Sequence, residues 1–551
     1  MKLGRKWRPD FWFFTKLVVV LTLCMFIVYP FYTILTKSVF SNKVEGLTLY
    51  NFIRFFTKPY YYLTLLRSLL VCFFTVLFAT VIGVPIAYLM TRYNIAGKRI
   101  LHILIIMSLM SPPFIGAYSW IILLGRNGLV ARLFALIGLT APTIYGRNGI
   151  IFVFTLHLFP YIYLYTSSAM NSIDRSLEEA AENLGMSKLR RICTITLPVI
   201  MPSLLAGCIM VFMTCLADFG TPMLIGEGYT VLPVLVYNEY MSESAVNPYM
   251  ASTLSVIIVA CSLLVLAFQK FVVDKRNYQM SSLRPPKETE LHGGRRFLAS
   301  LPIYLVVFLA FLPQIVVVCQ SFVERSFSGV VKGINLNNYR AILSRLSTNI
   351  RNTYVFSLIA IVFIILVGIL VSYILVRKKG KVATLIDALI MFPYVIPGSV
   401  LGIGLIIAFN RKPIILVGTA AIMIISYVIR KLPYTVRSGS AFLYQMDPFI
   451  EEASINLGVS PMKTFFTVTA RMMLPGVMSG AVLSWITCIN ELSSSIMLYS
   501  GKTSTIAVAI YQEVTRMSDG TAAALATILT ITTIVSLLIV FRLTKGKVKV
   551  V

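Results

Sequence analysis

Acidic residues are scarce in this chain, and so is charge of any kind. Of 551 residues only 21 are Asp or Glu, against 49 Lys or Arg, and charged residues make up 13%. That shortage excludes a string of ordinary soluble domains, whose surfaces need far more charge to stay in water. Histidine is nearly absent: His102, His157 and His292 stand far apart, with no metal-ligand spacing. A structural or pore-facing polar role suits them better than ligation. The eight cysteines include no C-x-x-C pair, so they read as small buried groups rather than redox or zinc centres. A phosphate-binding loop is missing too. Gly501-Lys502-Thr503 has the right ending, but Ile496 stands where that loop needs its first glycine. The chain is therefore not expected to bind or hydrolyse ATP, and no catalytic cluster points to an enzyme. The net charge of +28 comes with no soluble basic domain and no interleaved aromatics, which argues against nucleic acid as a partner.

What the chain has instead is oil. Hydrophobic residues make up 58% of it and the mean hydropathy is +0.84. A span needs about 20 apolar residues to cross a hydrocarbon core of about 30 Å, and the sequence offers about twelve such runs. The first half holds 15–36, 67–91, 100–124, 149–169, 199–218 and 249–271. The second holds 298–320, 352–376, 384–409, 413–430, 474–494 and 520–541. The expected class is an all-α polytopic protein in the lipid bilayer. Span 413–430 is short, and Arg430-Lys431 reads as its cytoplasmic end. The first run lacks a small-residue cleavage site before Lys37 and reads as an uncleaved anchor. With Lys2, Arg5, Lys6 and Arg8 inside, alternation places most Lys and Arg in cytoplasmic segments and both termini in the cytoplasm. Pro112-Pro113, and Pro393 with Pro397, bend the third and ninth spans. Such bends suit either a cavity wall or plain packing.

The chain repeats itself. Glu178-Glu179-Ala180-Ala181-Glu182-Asn183-Leu184-Gly185 is a helix-favouring island ended by a glycine, and Lys188-Leu189-Arg190-Arg191 opens a second short helix that runs out at Leu197-Pro198. Glu451-Glu452-Ala453-Ser454-Ile455-Asn456-Leu457-Gly458 follows the same plan. Glu179 maps to Glu452, Gly185 to Gly458 and Pro202 to Pro475 at one constant spacing, the mark of a duplication. Gly83, Tyr88 and Arg92 likewise correspond to Gly368, Tyr373 and Arg377. The expected organisation is a first repeat at 1–271 with a loop at 171–198, a cytoplasmic linker at 272–297, and a second repeat at 298–551 with a loop at 444–475. Six spans per half make the repeats parallel, so both loops face the cytoplasm and imply a two-fold partner beneath them. A solvated hairpin without a role is the plainer alternative, but it has no reason to keep helix, turn and helix in register.

The acids in or near the spans are the remaining candidates. Asp218 and Glu491 close the fifth and eleventh spans at equivalent positions. Glu227, Glu239 and Glu243 follow in an exterior loop, and Glu513 aligns with Glu239 if one residue is inserted. Carboxylates are hard oxygen donors suited to ferric iron or other cations, and an acid at membrane depth marks a pathway or faces protein. Asp218, Glu491, Glu239 and Glu513 are thus a candidate substrate path. Ordinary interfacial acids are the alternative.

Glu179-Ala180-Ala181, Gly185 and Ile195-Thr196-Leu197-Pro198 together match the signature of ABC importer permeases at every fixed position, and the chain resembles that family over its full length. The second copy departs from it: Ser454 replaces the second alanine, Val468 the isoleucine, and Ala470-Arg471 the Leu-Pro pair. The fused two-by-six plan is similar to ferric-iron permeases, as are Leu216-Ala217-Asp218-Phe219-Gly220-Thr221-Pro222 and Asn490-Glu491-Leu492-Ser493-Ser494-Ser495. Thiamine, aminoalkylphosphonate and polyamine permeases are close relatives of that branch. The resemblance implies a bacterial inner-membrane subunit whose two repeats couple to a cytoplasmic dimer of a separate ATP-binding subunit. ATP and Mg would sit in that partner, and a substrate-binding protein would dock outside. An ion-coupled secondary carrier and a membrane-embedded enzyme or scaffold are the rival classes.

Overall fold

The computed structural model describes residues 11–126, 128–140, 142–241, 246–273, 289–325 and 331–543. Most of the expected linker, and Glu243, lie outside the described residues. The rest is helical, apart from two short antiparallel ribbons, Val323–Arg325 with Val331–Ile334 and Asn410–Arg411 with Ile414–Ile415. In lipid no water can satisfy backbone N–H and C=O groups, and a helix satisfies them within itself.

Among the described residues ten helices are long and apolar enough to cross a membrane, or eleven spans if the bent pair at Lys381–Tyr394 and Gly398–Phe409 counts as one, against the twelve expected. In the first half these include α1 (Phe11–Ser38), α2 (Pro59–Arg92), and, after α3 (Lys98–Met110), the run that begins with α4 (Pro113–Leu124). Then come α5 (Arg147–Asn171), the hairpin helix α6 (Arg175–Asn183), and α7 (Ile192–Ala217). A short α8 (Gly220–Ile225) precedes α9 (Pro248–Val273). The second half repeats the series: α10 (Gly293–Ser321), α11 (Ser347–Arg377), α12 (Lys381–Val395) and α13 (Gly398–Phe409). It goes on through α14 (Ala420–Gln445), α15 (Phe449–Asn456), α16 (Pro461–Ile489), the short α17 (Ser495–Leu498) and α18 (Asp519–Leu543). The prolines act as expected. The chain breaks at Ser111-Pro112 between α3 and α4, and turns through 109° between α12 and α13 at Pro397.

Two readings are corrected. The tenth span does not run from 413 to 430. The helix there is α14, which starts at Ala420 and continues about four turns past Arg430-Lys431. Those cations lie in mid-helix because a carboxylate neutralises them there, so their charge marks no boundary. Nor does Pro198 end a helix. The chain from Lys188 passes through one π turn, Ile192–Thr196, straight into the rest of α7. The Leu197 N–H donates to the Ile192 carbonyl, and five residues are spanned where four are usual. The same π turn recurs at Phe465–Thr469, where Arg471 replaces the proline, so the duplicated backbone carries it without Pro198.

The first helix of each half crosses to the other half. α1 packs on α11, α12 and α13, while α10 packs on α3, α4 and α5 as well as on α18. α5 is the most enclosed span, with 78% of its apolar window buried. Small residues set the helix spacing, as lipid-embedded packing requires. A Cβ on Gly83 would lie 2.8 Å from Ile162 Cβ, and one on its counterpart Gly368 would lie 2.9 Å from Thr435 Cγ2. Gly480 is tighter still, since a Cβ there would meet the Thr435 Cα at 2.7 Å. Backbone cannot rotate away. Gly480→Ala is expected to lower stability by about 1–3 kcal/mol, the usual cost of overpacking, read as a lower thermal midpoint of the full chain in lipid nanodiscs.

Candidate functional site: two hairpins and a charged break

The hairpins owe their shape to local rules. The Asp174 carboxylate accepts a 2.9 Å bond from Ser176 N–H and starts α6. Gly185 ends it at φ +74°, and Gly458 ends α15 at φ +84°. Around each glycine the closing bonds are the same: Met186 N–H to Ala181 O and Gly185 N–H to Glu182 O, then Val459 N–H to Ser454 O and Gly458 N–H to Ile455 O. This double closure needs a left-handed residue, which glycine adopts without steric cost. Each turn is also tied across its two arms. Arg191 donates to Glu182 at 2.7 Å in the first copy, and Ser454 pairs with Thr464 at 3.0 Å in the second. Ser454, which breaks the motif, therefore has a structural job.

The turns present an apolar tip. Leu184 is 82% exposed and its counterpart Leu457 85%. Of the motif residues, Ala180, Glu452 and Ala453 are exposed, Glu179 is half-buried and Ala181 is buried. Leu197, Pro198 and Pro475 sit further up, on the bodies of α7 and α16. Glu178 lies in α6, and its side chain is outside the described residues.

Glu451 differs from its neighbours. It is buried, with Arg377 Nε at 3.1 Å and the Tyr373 hydroxyl donating at 3.1 Å. A second nitrogen of Arg377 donates to Met446 O at 2.8 Å. One guanidinium thus fastens α11 to both ends of the approach to the hairpin. The Trp12 ring stacks on Tyr373 at 4.5 Å and meets Phe465 edge-on at 4.9 Å. So α1 of the first half buttresses the hairpin of the second. Beneath the first hairpin, Lys188 donates to the Tyr93 hydroxyl, which holds its ammonium above the ordinary lysine value.

Inside the molecule, Asp218 and Glu491 each stop a span and start a short helix. Asp218 accepts from Thr221 N–H at 3.0 Å, and Glu491 from Ser494 N–H and Ser494 Oγ, both at 3.1 Å. The two breaks meet across the halves, for a Cβ on Gly220 would lie 3.1 Å from Leu492. Glu491 also pairs with Arg430 and, at 2.7 Å, with Lys431. In the first half, on the register set by Pro160 and Pro433, His157 and Leu158 take the places of those cations. The structure does not gather the four candidate acids into one path. Glu239 accepts from the Tyr61 hydroxyl at 3.2 Å. Glu513 is buried against Thr521 at 2.6 Å, with Arg516 at 3.6 Å. Both are held by hydroxyl donors, which offset the cost of burying part of a carboxylate. Glu227 pairs with Arg126 at 2.5 Å on the surface. Among the described residues no three His, Cys, Asp or Glu side chains converge to hold a metal.

The sequence reading missed the polar groups between the two breaks and the hairpins. Arg437 and Asp387 pair at 3.0 Å there. Tyr161 and Tyr165 of α5 also come into electrostatic range of Tyr394 of α12 and Tyr434 of α14. Only the alignment of Pro160 with Pro433, which makes Tyr161 and Tyr434 counterparts, could have pointed to them.

These features define a duplicated, polytopic membrane transport component with two matched hairpins. The chain belongs to the family described as binding-protein-dependent transport system inner membrane component, whose model matches residues 79–278 and again 364–549. It is 28% identical to the ferric transport system permease protein FbpB of Actinobacillus pleuropneumoniae, over 92% of this chain and 74% of the relative. It is also 28% identical to the putative ferric transport system permease protein FbpB 1 of Haemophilus influenzae, over 88% of this chain and 78% of the relative. The molybdate/tungstate transport system permease protein WtpB of Pyrococcus abyssi matches 40% of this chain with 85% of its own length, at 28% identity. One half of this chain is thus comparable to a whole permease of that kind.

Two tests follow from the acids. Glu491→Gln leaves two buried cations short of a partner, and a broken buried pair costs about 3–5 kcal/mol. Folded yield in nanodiscs should fall sharply, with partial recovery on adding Lys431→Met. Burial raises the Glu239 carboxyl above its ordinary value. A raised folded-state value stabilises the fold below the unfolded value and loses that effect as pH rises through the folded one. Glu239→Gln keeps an acceptor for Tyr61, so it should raise the thermal midpoint at neutral pH and leave it unchanged in acid.

Proposed function

We propose that this chain is the permease subunit of an importer for ferric iron. Its two repeats, 1–271 and 298–551, would form the path. Its hairpins would dock on two copies of a separate ATP-binding subunit that holds ATP and Mg. The observation that carries the docking part is the pair of hairpins closed by the same bonds in the same register, each ending in an exposed leucine. Six spans separate them, so both face one side of the membrane. That side carries most of the Lys and Arg and is assigned to the cytoplasm with both termini. A lever of this kind must be stiff at its tip and fastened at its base. The glycine turn and the Arg377–Glu451 clamp supply those properties, and ATP-driven closure of the partner would then move α7 and α16 as rigid bodies. A substrate-binding protein would deliver cargo to the opposite face.

Iron as cargo rests on the two relatives named for ferric transport. Labelled ferric iron should accumulate in cells carrying this chain, and excess molybdate or thiamine should not compete. Gly185→Val has open space for its side chain, so its cost is the backbone strain of a left-handed β-branched residue, about 1–2 kcal/mol. The variant should insert and bind the ATP-binding subunit, yet lose most uptake per ATP hydrolysed, while Gly185→Asn stays close to wild type. Full uptake by both Gly185→Val and Leu184→Asp/Leu457→Asp would sink the docking account. Competition by molybdate would move the cargo to an oxyanion.

A further inference from the structure

Ferric iron is a hard acid that needs oxygen donors, yet the carboxylates in the interior are occupied. Glu491 is held by Arg430, Lys431 and Ser494. Asp387 is paired with Arg437, and Asp218 caps Thr221. Between the charged break and the Asp387–Arg437 pair, four phenols come within electrostatic range of one another across the halves. Tyr161 and Tyr165 stand one turn apart on α5 and remain partly accessible in an otherwise enclosed helix. Tyr434, the counterpart of Tyr161, faces them from α14, and its ring lies 5.5 Å from that of Tyr394 on α12. Tyr394 keeps 40% of its surface accessible although it lies within electrostatic range of tyrosines of both halves.

We propose that Tyr161, Tyr165, Tyr394 and Tyr434 form a phenol collar on the translocation path that coordinates ferric iron in passage. The inference rests on the ferric reading given above. Phenolate oxygen is an established type of iron ligand in proteins. A free phenol, which ionises near pH 10, does not give up its proton to neutral water, but ferric iron brings its own base. In neutral water the ion carries hydroxide, and the exchange is balanced: Tyr–OH plus Fe(III)–OH gives Tyr–O–Fe(III) plus water. The phenol O–H breaks, the hydroxide takes that proton and leaves as water, and a phenolate–iron bond forms. Iron remains ferric and the total charge is unchanged, which matters where a bare trivalent charge would be very costly. The reverse exchange with water releases the ion. Four donors, two from each half, can also be pulled apart when the halves move. A carboxylate locked in an ion pair offers no such release.

The test uses the full chain in lipid nanodiscs, with ferric nitrilotriacetate as the probe. Phenolate bound to ferric iron gives a visible charge-transfer band, which should grow on titration and show tyrosine ring modes in resonance Raman spectra. The Tyr161→Phe/Tyr165→Phe/Tyr394→Phe/Tyr434→Phe variant should lose the band. Tyr394→Phe alone should weaken it and slow iron uptake by cells about tenfold, the scale at which metal-site changes act, with an unchanged thermal midpoint. No band from the wild-type chain, or a band that survives in the fourfold variant, overturns the collar. The collar stands or falls on the band. Failure of wild-type cells to accumulate iron overturns the ferric reading instead, so the two failures are distinguishable.

Discussion

Everything in this molecule answers to one constraint: in hydrocarbon a charge or backbone group has only the protein to satisfy it. The Arg430–Glu491–Lys431 cluster is where that constraint is most severe. Breaking a span at membrane depth frees N–H groups at the start of the next short helix. Glu491 supplies an acceptor for Ser494 N–H, and its own charge then needs the two cations of α14. The first half caps the same break with Asp218 on Thr221 N–H, and His157 and Leu158 stand at the positions of the cations. The halves share a backbone, but only the second carries the full ionic lock. Sequence divergence after duplication has concentrated charge on one side of the pseudo-symmetry axis.

The same logic explains why the hairpins are stiff. In the proposed docking role, a loop that transmits force needs to be rigid at both ends. At the tip, the glycine turn consumes the carbonyls that a helix end leaves free. At the base, Arg377 brings α11, Met446 and Glu451 together, and the Trp12–Tyr373–Phe465 contact adds an apolar wedge. Because Trp12 belongs to α1, the second hairpin senses the position of a helix from the other half. The crossing of α1 and α10 therefore does more than bury surface: it ties the first helix of each half to helices of the other.

The interior polar groups divide by availability. Carboxylates drawn into ion pairs and caps hold the architecture, whereas the four tyrosines of α5, α12 and α14 remain partly accessible. This division suits a path for a highly charged ion. Fixed charges that bound it strongly would hold it, and a purely apolar channel would refuse it.

How much of this was legible beforehand depends on the range of the interaction. The duplication, the spans, the broken helices at Pro112 and Pro397, and the glycine-ended hairpins all follow from local rules: apolar run length, proline's missing N–H and glycine's freedom at positive φ. Those were readable in the sequence, down to the equivalence of Asp218 and Glu491. The partners of each acid were not. Arg430-Lys431 reads as a boundary until Glu491, distant along the chain, is seen to neutralise it. Glu451 and Glu452 are adjacent letters, yet one is buried on Arg377 while the other faces outward. The tyrosines of α5, α12 and α14 converge only because the two halves fold against each other. Residue types and their spacing determined the elements, because those rest on contacts within a few turns. Tertiary structure alone decided which polar groups are spent on one another and which remain open, because that depends on distances between helices that no local pattern encodes.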